Sequence, residues 1–333
     1  MRANVFRAID QFGLEPRDKP FPGAGDAIVR MTLTSICHTD VDIVRGAYRV
    51  KPGLVLGHEL VGVIDDVSPT VVGYHRGERV LVPAFTPCGQ CSACLSGQSS
   101  QCGAGDHYHA AGGWRLGNTM DGTQAEFVHV PFAQANLTKI PDALTDEQVL
   151  LLSDTASTGF SAIESANLRL GDSVALFGLG PIGLCAALGA RLLGAAQVIG
   201  VDVDDTRLAM ARRLGVDVVL DPRKVDVLSE LRRLSQGGTD VAVVAVDSPA
   251  RFEAPQRCLR PGGALVRVGE HHLVTSPCPG GKERMRRLME LLRSGRLDLT
   301  PLLTHRFRLE QIADAYALVS QRADGVCKVA IAP

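Results

Sequence analysis

Ser173-Val-Ala-Leu-Phe177-Gly178-Leu-Gly180-Pro-Ile-Gly183 is the stretch on which the fold turns. An apolar run over 173–177 leads straight into Gly-x-Gly-x-x-Gly, and an apolar stretch with helical character follows over 182–193. That strand–turn–helix context is what a dinucleotide-binding loop requires. The glycines permit a tight turn, close approach of backbone to a pyrophosphate, and close helix–strand packing. The helix N-terminus favours the negative charge. Residues 174–190 carry no charge, but Gly178, Gly180, Pro181, Gly183 and Gly189 interrupt them, and their length is marginal for a membrane span. The reading is a buried strand, a turn and a buried helix, and no membrane segment is expected.

Working outward, strands over 173–177, 197–201, 217–220, 241–246 and 264–268 alternate with helices over 182–193, 206–214, 225–234 and 251–259. Such alternation implies βαβ units and a mostly parallel sheet covered on both faces. The first 150 residues read instead as β-rich. Short apolar runs over 27–33, 61–67, 79–83 and 125–130 are separated there by Gly, Pro, Asp and Ser. Thr145-Asp-Glu-Gln opens a capped helix, and helical spacing continues over 155–168. Cys278-Pro-Gly-Gly precedes an amphipathic helix over 282–293, and 328–332 has strand character. The expected architecture is α/β: a β-rich domain, a doubly wound parallel-sheet domain, and a C-terminal return to the first.

Composition narrows the function classes. The chain of 333 residues has room for two domains. Its 35 Lys and Arg against 36 Asp and Glu leave a net charge of −1, which argues against binding nucleic acid or acidic membrane by bulk charge. Arg284, Arg286, Arg287, Arg293 and Arg296 fall on the 282–293 helix and just beyond it. Met285, Leu288, Met289, Leu291 and Leu292 are spaced there as a buried face, so the arginines read as a solvated surface. The first residues show no signal-peptide pattern, and a cytoplasmic location is expected. Nine cysteines, four of them within 88–102, read first as metal ligands rather than disulfides. His271-His272 lacks clustered partners and reads as loop.

Asp202 stands at the end of the second strand of the alternating region, 19 residues after Gly183. A carboxylate there accepts hydrogen bonds from the ribose hydroxyls of NAD and repels the 2′-phosphate of NADP, and Asp204 and Asp205 strengthen the objection. NAD is therefore the expected cofactor. Asp202 as a plain cap of the following helix is the competing reading, and Arg207 is the nearby cation that would weaken the preference.

Two constellations point to metal. Cys88-x2-Cys91-x2-Cys94-x7-Cys102 offers four thiolates that can close a tetrahedral zinc shell, which leaves a structural role; an iron–sulfur cluster is the chemical alternative. Cys37-His38-Thr39-Asp40, Gly57-His58-Glu59 and Asp154 offer S, N and O donors, the mixture suited to a catalytic zinc with an open fourth position. Asp40 can hydrogen-bond the far ring nitrogen of His58 and fix its tautomer. Spacing alone does not bring Asp154 to the other two.

Through these residues, and Asp154-Thr-Ala-Ser-Thr-Gly-Phe before the glycine loop, the chain resembles the zinc-dependent medium-chain alcohol dehydrogenases over essentially its whole length. It is most similar to bacterial secondary-alcohol dehydrogenases, which share Asp as third ligand, a Gly-Trp like Gly113-Trp114 and a Cys-Pro-Gly-Gly like 278–281. The resemblance implies a GroES-like catalytic domain over 1–154 with a structural-zinc lobe over 86–103. It further implies a Rossmann coenzyme domain over 155–285 and a return segment over 286–333. Two zincs per chain and NAD are implied. Cys37, His58 and Asp154 match the catalytic zinc ligands, Glu59 the neighbouring carboxylate, and Thr39 the hydroxyl that takes the substrate proton. Gly178, Gly180, Ile182, Gly183, Asp202 and Arg207 match cofactor contacts, as do Val246 and Val268 at strand ends. Thr158 matches a residue near the nicotinamide, His38 and Lys328 match pyrophosphate contacts, and Trp114 lines the substrate pocket.

The implied activity is reversible hydride transfer between a secondary alcohol or ketone, or an aldehyde, and NAD, in a homo-oligomer (dimer or tetramer). A polyol or amino-alcohol dehydrogenase on the same scaffold is the alternative; a non-catalytic zinc-stabilised NAD-binding protein is the second. Two departures stand out. Asp42 occupies a position where relatives often place a histidine at the end of the proton relay, and the connection over 269–278 is short.

Overall fold

The computed structural model describes residues 1–104, 109, 111–246, 253–268 and 278–333. Its strands begin with β1 (Arg2–Ala8), β2 (Gln11–Pro16), β3 (Ala27–Ile36), β4 (Leu60–Val67), β5 (Arg79–Val82), β6 (Phe127–Val130) and β7 (Thr138–Lys139). The alternating region supplies β8 (Ser173–Phe177), β9 (Gln197–Val201), β10 (Val218–Leu220), β11 (Thr239–Val244) and β12 (Leu259–Arg267). The C-terminal segment adds β13 (Leu303–Arg308) and β14 (Lys328–Ala332). Two units result, Met1–Asp154 with Pro279–Pro333, and Thr155–Cys278. The chain re-enters the first unit at Pro279, so the helix Lys282–Arg293, which a return at 286 would split, lies wholly within it.

The first unit is built on a seven-stranded sheet in the order β13-β14-β3-β4-β5-β7, with β6 also on β3. β13 and β14 are parallel and the other pairs antiparallel. β3 is buried at every position except Arg30 and Thr32, because β4, β6 and β14 all pair with it. Such a strand reads as a near-continuous apolar run. Ile36, Val29, Leu60, Val80, Leu116, Val128 and Ile331 are among the side chains of the core it organises. The helix Lys282–Arg293 buries Met285, Leu288, Met289 and Leu292, while Arg286 and Arg293 pair on its exposed face with Glu283 and Glu290.

The second unit carries a five-stranded sheet, β10-β9-β8-β11-β12, parallel throughout. β8 is buried at all five positions, as a central strand covered on both faces must be. The order reverses between β8 and β11, and the crevice at the carboxyl ends of such strands is where doubly wound sheets take their ligands. The helices Thr155–Ser165 and Pro181–Leu192 pack closely here, since a Cβ on Gly159 would meet Cys185 Cβ at 2.7 Å.

Two boundaries differ from expectation. β12 begins at Leu259, five residues before 264, because Leu259 pairs with Thr239 before a bulge that includes Gly262 at φ +83°. The preceding helix is correspondingly short among the described residues, Glu253–Arg257. The start of the 251–259 helix, His271-His272 and most of the 269–278 connection lie outside the described residues. Among the described residues, no helix is long and apolar enough to cross a membrane.

Candidate active site

The glycine loop follows from backbone sterics. Gly178 has φ +98°, and a Cβ there would meet Val246 Cγ1 at 2.4 Å and Ala245 O at 2.7 Å, so the ends of β8 and β11 close around it. A Cβ on Gly183 would fall 1.9 Å from Gly178 O. Gly180 differs: nothing lies within 4 Å of where its Cβ would point. It stands at the N-cap of the helix Pro181–Leu192, which no side chain caps. Open space beside uncapped N–H groups at a helix start is the setting a pyrophosphate requires, and Ile182 lies in that first turn.

Asp202, 7% exposed, ties the loop to β9. Its Oδ2 accepts from Leu179 N at 2.7 Å, and its Oδ1 accepts from Val203 N and Asp204 N. The following helix, Asp205–Arg213, is capped by Asp204, which accepts from Thr206 N and Arg207 N; Asp202 is not its cap. Those bonds hold the Asp204 carboxyl below its ordinary range, the Thr206 hydroxyl contributing most. Asp205 is turned to Arg223 at 3.0 Å, and Arg207 Nη1 lies 3.6 Å from Asp202 Oδ2. Thr158 is buried in the helix Thr155–Ser165, and Val268, just past β12, donates from N to Val244 O at the end of β11.

The four cysteines of the 86–103 segment converge. Sγ–Sγ separations are 3.5 Å for Cys91–Cys94, 3.8 Å for Cys91–Cys102 and 3.9 Å for Cys88–Cys94. A tetrahedron with Zn–S near 2.3 Å has edges of about 3.8 Å, so the thiolates fit that ion and close its shell. The Cys94 backbone N–H, foremost, pulls the Cys91 thiol down to about 6. Burial pushes the Cys94 thiol up. Burial opposes the Cys102 thiolate too, but backbone N–H groups of Cys88 and Ala104 and the Arg115 guanidinium, 3.3 Å away, lower its pKa. Arg115, which also stacks 5.2 Å from the Phe132 ring centroid, was not legible in the sequence because no motif contains it.

The dispersed donors meet at the ends of three adjacent strands. β3 ends at Ile36 and delivers Cys37; His58-Glu59 immediately precede β4, whose Leu60 faces Thr34 of β3; β14 begins with Lys328, and its next residue, Val329, pairs with Ile36. Asp154 closes the group after the turn Leu151–Ser153, which Ser153 O anchors by accepting from Ala84 N at 2.9 Å. One donor atom each from Cys37, His58, Glu59 and Asp154 lies within 4.8 Å of the others. Asp154 Oδ2 is 3.3 Å from His58 Nε2 and 3.7 Å from Cys37 Sγ. Zinc with N, O and S ligands at about 2.0–2.3 Å requires edges of roughly 3.3–3.6 Å, so this trio also fits the ion. Glu59 is 1% exposed, with Oε2 unpartnered and Oε1 paired with Lys328 Nζ.

Surrounding groups orient the trio. Asp40 Oδ2 accepts from Cys37 N at 2.9 Å and from Gln124 Nε2 at 3.4 Å, while Oδ1 faces His58 Nδ1 at 3.2 Å. Gln124 Oε1 accepts in turn from Asn4 Nδ2 and Tyr316 OH. Gln124 and Tyr316 are lone polar residues in the chain and carry no motif. Burial pushes the His58 ring toward neutrality, but the Asp40 charge and bonds to Asp154, Asp40 and Cys37 outweigh it and raise its pKa well above the ordinary value. Burial raises the Glu59 carboxyl, against the pull of Lys328. Burial likewise disfavours the Lys328 cation, but the Glu59 charge outweighs it and holds the amine protonated.

The helix His38–Val44 begins beside Cys37 and carries His38, Thr39 and Asp42, with Thr39 Oγ1 3.6 Å from Cys37 Sγ. Trp114 is 7% exposed; its Nε1 donates to Leu116 O at 3.1 Å, and its ring stands edge-on 6.1 Å from that of His58 and 5.8 Å from that of Tyr48.

Comparison with known proteins finds relatives that match along the whole chain. Residues 23–142 match the alcohol dehydrogenase GroES-like domain, and residues 181–293 match the zinc-binding dehydrogenase family. An alcohol dehydrogenase of Cupriavidus necator is 47% identical over 363 aligned positions, covering 100% of this chain and 99% of that protein. The alignment is longer than this chain of 333, so the relative carries stretches that this chain lacks. An NADP-dependent isopropanol dehydrogenase of Thermoanaerobacter brockii is 31% identical, with 98% of each chain covered. The solved structure of an alcohol dehydrogenase from Thermus sp. ATN1 superposes with a TM-score of 0.89 at 30% identity, covering 100% of this chain and 99% of that one. Likeness of this extent, running from the strand that delivers Cys37 to the strand that delivers Lys328, shows that the chain belongs to the zinc-dependent alcohol dehydrogenase family.

Proposed function

We propose that this enzyme interconverts simple secondary alcohols and ketones with NAD as its hydride carrier. The observation that carries the reading is the Cys37–His58–Asp154 trio, whose 3.3 and 3.7 Å edges suit a three-ligand zinc with a place left for substrate. When bound, zinc supplies Lewis acidity toward the alcohol oxygen, and NAD supplies the acceptor for hydride. Thr39 takes the hydroxyl proton at Oγ1, and Asp42, on the same helix, stands as acceptor further along a water-mediated relay. His58 is oriented by Asp40, which fixes which ring nitrogen faces the metal. Trp114 forms an apolar wall that favours an alkyl group over a hydroxyl-bearing chain.

Asp202 supports NAD over NADP, since a buried carboxylate at the end of β9 repels a 2′-phosphate. The pairing of Asp205 with Arg223 offsets one of the negative charges set against NADP, which leaves Asp202 and Asp204 to carry the preference. His38 on the pyrophosphate, Thr158 near the nicotinamide, a homo-oligomeric assembly and a cytoplasmic location belong to the same reading.

Initial rates with primary alcohols, secondary alcohols and polyols, each with NAD and NADP, test it. Secondary alcohols with NAD should give the highest kcat/KM. A polyol preference transfers the substrate to the alternative class, and a clear NADP preference overturns the cofactor assignment.

A further inference from the structure

Of the carboxylates that follow β9 and β10, Asp202 braces the glycine loop, Asp204 caps the helix Asp205–Arg213, and Asp221, 7% exposed, is bonded within its own turn. Asp205 is turned instead to the cations of the neighbouring strand end, with Oδ1 3.0 Å from Arg223 Nη2 and 3.8 Å from Lys224 Nζ. We propose that Asp205 is a specificity-determining residue whose carboxylate fills the place beside Arg223 that a 2′-phosphate would take, and so withholds the guanidinium from NADP. The proposal rests on the NAD reading above and deepens it.

The fold brings this place next to the ribose end of the cofactor site. β10 runs parallel to β9, Leu220 pairs with Val201, and Asp202 N donates to Leu220 O at 3.3 Å. Asp202 and Asp221 therefore stand at the ends of adjacent strands, one strand spacing of about 5 Å apart. Asp221 fixes the guanidinium, since its carboxylate accepts from Arg223 N and Nε at 2.9 Å each and from Nη2 at 2.7 Å. Lys224 Nζ lies 3.2 Å from the same carboxylate. A cavity of about 240 Å³, lined by Asp205, Arg212, Asp221 and Lys224 together with Leu208 and Val219, opens here and leaves room for a phosphate group.

Charge decides how that room is used. Asp221 is buried and holds Arg223 by several bonds, so it orients the cation and does not release it. The Asp205 side chain is 71% exposed and is the member that substitution can remove. A 2′-phosphate entering beside it meets a carboxylate already seated against the cation, and like charges in one place repel. Without Asp205, Arg223 keeps the orientation that Asp221 imposes and presents Nη2, in the planar fork that suits phosphate oxygens. An ion pair this exposed contributes little to stability, so its removal changes charge rather than fold. Asp205 thus acts through the cation it occupies, while Asp202 and Asp204 act by direct repulsion.

The test is fluorescence titration of the full-length, zinc-loaded protein with NADH and with NADPH. Wild type should bind NADH more tightly. In Asp205→Ala, NADPH affinity should rise by about tenfold while NADH affinity stays within roughly threefold, because NADH has only hydroxyls on that ribose. Asp205→Glu, which keeps the carboxylate, should hold NADPH within roughly threefold of wild type, and Asp205→Ala/Arg223→Ala should lose most of the gain. An unchanged NADPH affinity in Asp205→Ala, an equal gain for both cofactors, or a gain that survives in full without Arg223 overturns the proposal alone. A wild-type chain that binds NADPH at least as tightly as NADH overturns the NAD reading and the proposal together.

Discussion

His58 Nδ1 lies 3.2 Å from Asp40 Oδ1, and both atoms are buried without a hydrogen-bond partner of good alignment. The other Asp40 oxygen accepts from Cys37 N and Gln124 Nε2, so the carboxylate needs an acceptor on each side. An amide cannot supply that. In Asp40→Asn the NH2 group must face either the ring or the two donors, and facing the ring it selects the tautomer with the proton on Nε2, the nitrogen nearest Asp154. Metal affinity at the Cys37–His58–Asp154 site should fall by about 10- to 100-fold. Chelator competition checks this, with the four-thiolate ion retained. Equal retention at both sites would show that Asp40 does not set the tautomer.

The same contact has a pH consequence. The folded, metal-free protein holds His58 protonated above its ordinary pKa, because the Asp40 charge and neighbouring bonds outweigh burial. A histidine binds metal only as the neutral imidazole, so protons compete with the ion. Affinity is full above the raised pKa and declines as pH falls through it, by about tenfold or more per pH unit. Metal binding by equilibrium dialysis, followed from below the ordinary imidazole pKa of about 6.5 to well above it, reads this directly. Asp40→Asn should move the break to lower pH, since it removes the charge that sustains the imidazolium. A break that stays put in that variant would assign the titration to another group.

Legibility in the sequence followed how local each grouping is. The glycine loop occupies six consecutive residues, and its context of strand and helix is continuous with it, so periodicity suffices. The four thiols lie within fifteen positions, where spacing alone constrains them to one lobe. Cys37 and Asp154 are 117 residues apart, and only strand order brings them to 3.7 Å; here the residues were legible through resemblance but their meeting was not. The Lys328–Glu59 pair, 269 residues apart, depends on β14 lying beside β3, a pairing that no local pattern announces. Gln124 and Tyr316 were invisible for the same reason, since an isolated polar residue becomes a partner only when the sheet is assembled. β12 starts at Leu259 rather than 264 because Pro261, Gly262 and Gly263, residues that disfavour strand, form a bulge inside it.

The cysteine lobe gives a local prediction. Cys91 Sγ lies 3.5 Å from Cys94 Sγ and 3.8 Å from Cys102 Sγ, and Cys91 N-caps the short helix Ser92–Leu95. The small cluster around these sulfurs holds little apolar surface besides Ala93 and the half-buried Phe132, so the ion supplies most of the cohesion of the lobe. Cys91→Ser should lose one zinc per chain and make the 86–103 segment cleave about tenfold faster or more in limited thermolysin digestion. Leu95, 76% exposed, is the expected point of attack. The Cys37–His58–Asp154 site should keep its ion. Unchanged cleavage after loss of the zinc would mean that packing alone holds the lobe.

Asp202 permits a test that separates charge from hydrogen bonding. Its two oxygens accept from Leu179 N, Val203 N and Asp204 N, and both therefore stabilise the loop whether or not a cofactor is present. Asparagine keeps one of these acceptors and abolishes the charge that repels a 2′-phosphate. NADH affinity, read by fluorescence titration, should fall by about tenfold in Asp202→Asn, through the loosened loop and the weaker ribose acceptor. NADPH suffers the same loosening but is relieved of the repulsion, so its affinity should change by no more than roughly threefold. The preference between the two therefore moves toward NADPH. Equal losses for both would mean that Asp202 only braces the loop, and discrimination would then pass to Arg207 and Arg223, the cations paired with Asp202 and Asp205.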